Sequence, residues 1–369
     1  MRILQVVRQL PYGGDPVYVC RLMSGLREIG VESAVLTEGG PLLGMYEERW
    51  HRVLEFPSLR STALDAVAPL VAAEPWDVML AHHYQSSRVA HGLSRRIGIP
   101  YVMTIHAKRG LVGRMLVNYW SDEVIVLTGG VERSLRGPFG VRPDRIHRSR
   151  LTVDCDVHRP GPQPADCVLR RAEEELIVLH VSRLEYRKTK PCIELVRGMP
   201  RLLESVPRAR LALLGLGPGL ERVLPEVQAV NRRCGDVIRL LEPRPGLAGL
   251  LRSADVAVAT GLVAREALAC GCPVLAVGRM GYVGPIDQEH FPLGDDGNFG
   301  DHDHAAGPPR ADRFARDLAG MLSDLDHWRR EALALAELTS REYSPARAAS
   351  EIVVILRDVL TRSRPRRSV

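Results

Sequence analysis

The sequence predicts an α/β protein made of two doubly wound domains, and three observations carry that prediction. Short apolar runs of strand length alternate with helical stretches through the first half. The cluster Pro160-Gly161-Pro162-Gln163-Pro164 then interrupts the rhythm as a linker. A second alternating series follows it. Strands that are apolar on both faces and separated by helices belong to parallel sheets covered on both sides. At 369 residues the chain is too long for one ordinary core and fits two domains.

In chain order, residues 3–7 form an opening strand. Residues 17–29 carry apolar side chains at helical spacing (Val17, Val19, Leu22, Leu26, Ile29) up to Gly30. Strands follow at 32–37, 77–82, 100–106 and 123–128. After the linker come strands at 176–181, 211–216, 236–241, 255–259 and 273–277. Between the last two, Gly261 frees the backbone to turn, an Ala/Leu-rich helix carries Glu266, and Gly271 ends it. A helix opening just past a strand end presents unpaired N–H groups, which suit a phosphate, although an ordinary strand–helix–strand unit looks the same. Residues 293–310, with Asp295-Asp296-Gly297 and Asp301-His302-Asp303-His304, are polar and Gly-rich; a metal site is one reading, but no strict ligand spacing appears and a solvated loop is the expectation. Helices close the chain at 314–322, 332–342 and 345–360, before a basic tail at 361–369.

Composition narrows the function classes. Apolar residues make up 45% and charged residues 25%, as in a globular protein. No stretch reaches the ~18 to 20 apolar residues of a membrane helix, and Arg8 cuts the opening strand short of a signal peptide. A cytoplasmic location is the expectation. The net charge of +6 is spread over both halves, and with five Phe and four Trp there is little to stack on bases, so nucleic acid is not the expected partner. Seven scattered cysteines, with Cys270 and Cys272 astride a helix end, read as free thiols rather than a zinc site. The mixed cationic and apolar stretch 108–117 allows weak peripheral membrane contact, or simply a loop entering a helix.

Several blocks together resemble the group 1 family of retaining glycosyltransferases, the glycogen-synthase-like and sucrose-synthase-like enzymes of GT-B architecture. Gly13-Gly14 after the first strand matches the family's glycine pair, and Thr104-Ile105-His106 its strand-end histidine. Ser182-Arg183-Leu184 with Lys188 matches the Gly-Arg-Leu block and its lysine. Asp255, Gly261-Leu262-Val263 and the run from Glu266 to Val274 match its most specific block. The departures are Ser182 and Thr189 for glycines, Leu151-Thr152-Val153-Asp154 for an Asn-Gly-Val-Asp block, and Val258 eight positions before Glu266, where the family has a first glutamate.

The resemblance implies two Rossmann-like domains facing a cleft, with the C-terminal helix crossing back to the first. It divides the chain into an acceptor-side domain (1–160, plus 345–360) and a nucleotide-sugar domain (161–344). It implies transfer of a hexose-type sugar, UDP-linked, to a polar acceptor with retention of configuration, in natural-product or envelope glycan synthesis. No cofactor and no metal are expected, since the nucleotide sugar is itself a substrate. Arg183 and Lys188 would hold the donor diphosphate and His106 the transferred sugar. Gly14, Gly261, Leu262, Val263 and Glu266 would complete the donor site. Gly13, Asp15, His82 and His83 would line the acceptor side, although Asp15 beside Pro16 also suits a plain turn. An epimerase or phosphorylase on the same fold, or a silent sugar-nucleotide binder, are the competing readings.

Overall fold

A computed structural model of the chain describes every residue except 109–120, 138, 165–167, 170–171, 173, 243–245, 304 and 364–369. Most of the 108–117 stretch and of the basic tail therefore lies outside the described residues. The chain divides into two compact units, Met1–Thr152 with Tyr343–Val369, and Val153–Glu342.

The first unit is a seven-stranded parallel sheet. Its strands are β1 (Arg2–Val6), β2 (Glu32–Thr37), β3 (Arg52–Glu55), β4 (Val78–His82), β5 (Tyr101–Ile105), β6 (Val124–Val126) and β7 (Ile146–Arg148), in the order β3-β2-β1-β4-β5-β6-β7. Alternating side chains fill two layers. Leu4, Val6, Met79 and Ala81 pack on one face, while Ile3, Val78 and Leu80 pack on the other with Tyr18, Leu22 and Leu26 of the helix Gly14–Glu28. The C-terminal helix Pro345–Ser363 lies on that same helix, burying Ile352 and Leu356. Gly25 permits the approach, because a Cβ there would collide with the Pro345 carbonyl.

The second unit repeats the plan with β8 (Leu176–Arg183), β9 (Ala209–Leu216), β10 (Ile238–Leu240), β11 (Val256–Ala259), β12 (Val274–Gly278) and β13 (Gly281–Ile286), ordered β10-β9-β8-β11-β12-β13. Only β13 runs antiparallel to its neighbour. Both sheets are the doubly wound architecture expected from the sequence.

In each sheet the order reverses direction beside the first strand, between β1 and β4 and between β8 and β11. Such switch points open a crevice at the carboxyl ends of the strands, where α/β proteins bind ligands.

Three strands went unread in the sequence, and all three lie at sheet edges: β3, β7 and β13. An edge strand needs no continuous apolar run, and Gly281-Tyr282-Val283-Gly284-Pro285-Ile286 reads as loop by composition. A second correction concerns residues 293–310. The helix Phe291–Asp296 occupies their start, and Asn298, Phe299 and His302 are buried rather than solvated. Among the described cysteines all six are free, and burial pushes the Cys270 thiol up to about 12, in keeping with packing. No helix among the described residues is long and apolar enough to cross a membrane.

Candidate active site

In the first unit, the ends of β1, β4 and β5 deliver polar groups to one cavity of about 380 Å³. Gly13 is the N-cap of the helix Gly14–Glu28, with a φ of 168° that is ordinary extended backbone, and Gly14 is its first residue. Asp15 in the first turn lies 2.6 Å from His83 Nε2 through Oδ2 and 3.5 Å from His106 Nδ1 through Oδ1. His83 opens the next helix with a left-handed φ of 68°. A non-glycine residue held in that region costs of order 1–3 kcal/mol, which its surroundings must compensate.

Behind this surface runs a buried chain of hydrogen bonds. Gln5 Oε1 accepts from His82 Nε2 at 2.7 Å, and His82 Nδ1 then accepts from His106 Nε2 at 3.0 Å. An amide oxygen can only accept, so with the Gln5 oxygen turned to His82 each ring carries its proton on Nε2. His106 Nδ1 is then left as an acceptor, 3.5 Å from Asp15 Oδ1 and without a hydrogen bond among the described residues. Burial pushes His106 down to about 3 and His82 well below its usual range, so both rings stay neutral. Tyr18 meets the His106 ring edge-on at 5.0 Å and fixes its plane.

Gln5→Leu is therefore expected to strand a buried N–H and release the tautomer, at a cost of about 1–3 kcal/mol. Nitrogen-15 NMR should show His106 protonated only at Nε2 in the parent and at both nitrogens in exchange in the variant. An unchanged tautomer would refute the chain.

Asp15, His83 and His106 are also the described group able to hold a metal ion, with ligand atoms within 4.8 Å of one another. Two imidazole nitrogens and a carboxylate suit a transition ion.

In the second unit the ends of β8 and β11 carry the other set. Arg183 is the last residue of β8, half exposed and 3.3 Å from Glu185. Lys188, in the first turn of the helix Tyr186–Ser205, donates to Asp301 Oδ2 at 2.7 Å. Gly261, with a φ of 59°, starts the helix Gly261–Ala269, and a Cβ on it would stand 3.4 Å from Asn298 Nδ2 and 3.6 Å from Asp301 Oδ2. Lys188, Asp301 and Gly261 thus converge.

Thr260 occupies the N-cap but donates its hydroxyl to Phe299 O at 2.8 Å, which leaves the first turn, with half-buried Leu262 and Val263, without a side-chain cap. Glu266 lies in the second turn, is buried, and stands 3.8 Å from His158 Nε2.

Sequence reasoning missed Arg265, Asn298 and His158, and noted Asp301 only within a possible metal-binding run, not as the partner of Lys188. Arg265 is 1% exposed and grips the neighbouring loop, with Nη2 2.6 Å from Asp295 Oδ1 and Nη1 2.7 Å from Asn298 Oδ1. That grip is what buries the segment expected to be solvated. Its trace in the sequence is a second charge, next to Glu266, inside an otherwise apolar helix. Asn298 and Phe299, both left-handed, are held by the same contacts.

Val258 also needs correcting. It lies inside β11, fully buried and paired with His180 and Leu275, so counting back eight residues from Glu266 lands in the core. Thr260 alone joins β11 to the next helix, so position 258 belongs to the core of the sheet and not to the loop at its carboxyl end.

With the geometry in place, comparison with known proteins is consistent across the chain. Residues 13–152 match the Glycosyl transferase 4-like domain, and residues 175–301 match Glycosyl transferases group 1. D-inositol 3-phosphate glycosyltransferase of Kribbella flavida is 29% identical over 72% of this chain and 74% of its own length. Alpha-maltose-1-phosphate synthase of Mycolicibacterium smegmatis is 26% identical over 97% of this chain and 100% of its own. Among solved structures, Anabaena HepE in complex with UDP and glucose superposes with a TM-score of 0.76 at 17% identity, covering 96% of this chain and 99% of that one. The sucrose-phosphate synthase of Thermosynechococcus elongatus gives 0.70 at 19% identity, over 98% of this chain and 100% of that one. The chain belongs to the group 1 glycosyltransferases, nucleotide-sugar-dependent enzymes of the GT-B fold.

Proposed function

We propose that the protein moves a hexose-type sugar from a UDP-linked donor to a polar acceptor with retention of configuration. The observation that carries this reading is the convergence of Lys188, Asp301 and Gly261 at the uncapped helix start beside β8 and β11. A UDP donor is favoured because Anabaena HepE, of the same fold, is known in complex with UDP-glucose.

The leaving nucleoside diphosphate departs with growing negative charge, and oriented cations and N–H groups that meet this charge lower the barrier. Lys188 and Arg183 supply the cations, and the backbone of Leu262 and Val263 supplies the N–H groups, with Gly261, whose own N–H goes to Asn298 O at 3.2 Å, leaving room beside them. Asp301 holds the Lys188 ammonium in place until a phosphate oxygen takes it over. Glu266 accepts from a ribose hydroxyl. His106, with its bare Nδ1, accepts from a sugar hydroxyl near Gly14, and Asp15 and His83 orient the acceptor hydroxyl beside Gly13. His82 acts behind His106 by fixing its tautomer. No metal is required for these roles. Natural-product or envelope glycans are the acceptors we favour, from the Arg-, Ala- and Gly-rich composition.

Glu266→Gln keeps the shape of the side chain but weakens its acceptance from the ribose. Calorimetry with UDP should show a dissociation constant raised about tenfold, as expected for a weakened hydrogen bond to a charged group. Equal affinity in both proteins would remove Glu266 from the site.

A further inference from the structure

A second cavity of about 480 Å³ lies in the first unit beside the one lined by Asp15, His82 and His83, and Arg8 and Gln85 line both. Its wall carries four arginines from three places in the chain: Arg8 after β1, Arg60 ahead of the helix Leu64–Ala72, and Arg88 and Arg96 on the helix His83–Ile97. No Asp or Glu is among the lining residues.

The wall is also built to hold its shape. Glu38, behind it, accepts from Arg8 Nε at 3.1 Å and from the Leu59 N–H at 2.7 Å. Asp65 accepts from Arg96 Nε at 2.7 Å. Arg8 is thus braced through Nε, and Arg96 through Nε and through Nη1, which donates to Gly92 O at 2.9 Å. Guanidinium forks match the oxygens of a phosphate two at a time, and several converging on one cavity favour an anion over a neutral sugar.

We propose that this cavity binds a phosphate monoester carried by the acceptor, so that the hydroxyl to be glycosylated reaches Asp15 and His106 next door. The proposal rests on the transferase reading for the use made of the cavity, while the binding itself does not depend on it. The phosphate could belong to a soluble polyol phosphate or to a lipid headgroup, and both present the same group to the arginines.

The test uses the full chain saturated with UDP, so that phosphate cannot occupy the donor site. Inorganic phosphate is titrated by calorimetry at fixed ionic strength, because salt screens exposed charges. Phosphatidylcholine vesicles with and without phosphatidylinositol 4-phosphate form the lipid arm. The variants are Arg60→Ala/Arg88→Ala and Arg60→Lys/Arg88→Lys.

The parent should bind one phosphate. The double alanine variant should bind it at least tenfold more weakly, and the lysine variant should recover part of the loss. Variant-sensitive binding to the phosphoinositide vesicles alone would support the proposal with a lipid as the source. Absence of binding to either probe, or binding that ignores both variants, would overturn it. Variant-sensitive phosphate binding by a protein that transfers no sugar would leave the cavity standing and sink the transferase reading instead.

Discussion

Lys188→Ala is expected to lower kcat/KM for sugar transfer about a hundredfold and to destabilise the second unit as well. The first effect follows from losing a charge-assisted contact to phosphate, worth about 1.5–3 kcal/mol, where each 1.4 kcal/mol is tenfold. The second follows from Asp301, which is 14% exposed and would lose its 2.7 Å partner. Burial raises the Asp301 pKa, but Lys188, with the Arg279 N–H, outweighs it and holds the carboxyl below its usual value.

A carboxylate depressed in this way stabilises the fold above its unfolded pKa of about 3.9 and loses that contribution as pH falls through the folded value. The stability gap between parent and Lys188→Ala should therefore be full at neutral pH and shrink in acid. Adding Asp301→Asn should restore stability without restoring transfer. Denaturant melts across pH and steady-state kinetics check both halves. Full turnover in Lys188→Ala would remove it from the diphosphate site.

Arg265→Met should cost about 3 kcal/mol, the largest single loss of stability expected here. Methionine fills similar volume but leaves Asp295 and Asn298 without the guanidinium that satisfies them, and breaking a buried pair from one side typically costs 3–5 kcal/mol. Asp295 is 18% exposed and can recover part of its solvation, so the lower end applies. The loop carrying Asn298, Phe299 and Asp301 would loosen, and UDP affinity should fall with it although Arg265 is not assigned a contact to the nucleotide. Arg265→Lys should recover less than half, since an ammonium cannot span both partners. A melting midpoint unchanged within error would contradict the clamp.

How much of this was legible in the sequence follows from what each residue depends on. Central strands such as β1, β4, β8 and β11 are buried on both faces, so their apolar runs declare them, and the residues at their carboxyl ends follow by position. His82 and His83 follow in this way, whereas His106 and Asp15 are legible through the resemblance and its glycine pair, and the structure brings the four together. The edge strands β3, β7 and β13 declare little, because their pairing is satisfied on one side only, although β10, also at an edge, is legible at 236–241. Arg265 and Asp301 were illegible in these roles for another reason. Each owes its place to a partner 30 or 113 residues away, and no local pattern encodes that distance. Gln5 is similar: within an apolar strand it looks like a lapse in the pattern until His82 is seen 2.7 Å from it.

The central claim is that this chain breaks the bond between a hexose and UDP and passes the sugar on with its configuration kept. Proton and phosphorus NMR of UDP-glucose incubated with the purified protein and a mixture of neutral and phosphorylated polyols tests it most directly. Free UDP should accumulate faster when the polyols are present, and the new glucoside should show the small anomeric coupling of the α configuration. A sugar that isomerises while still attached to UDP, a β product, or a donor that binds and stays unchanged would contradict it.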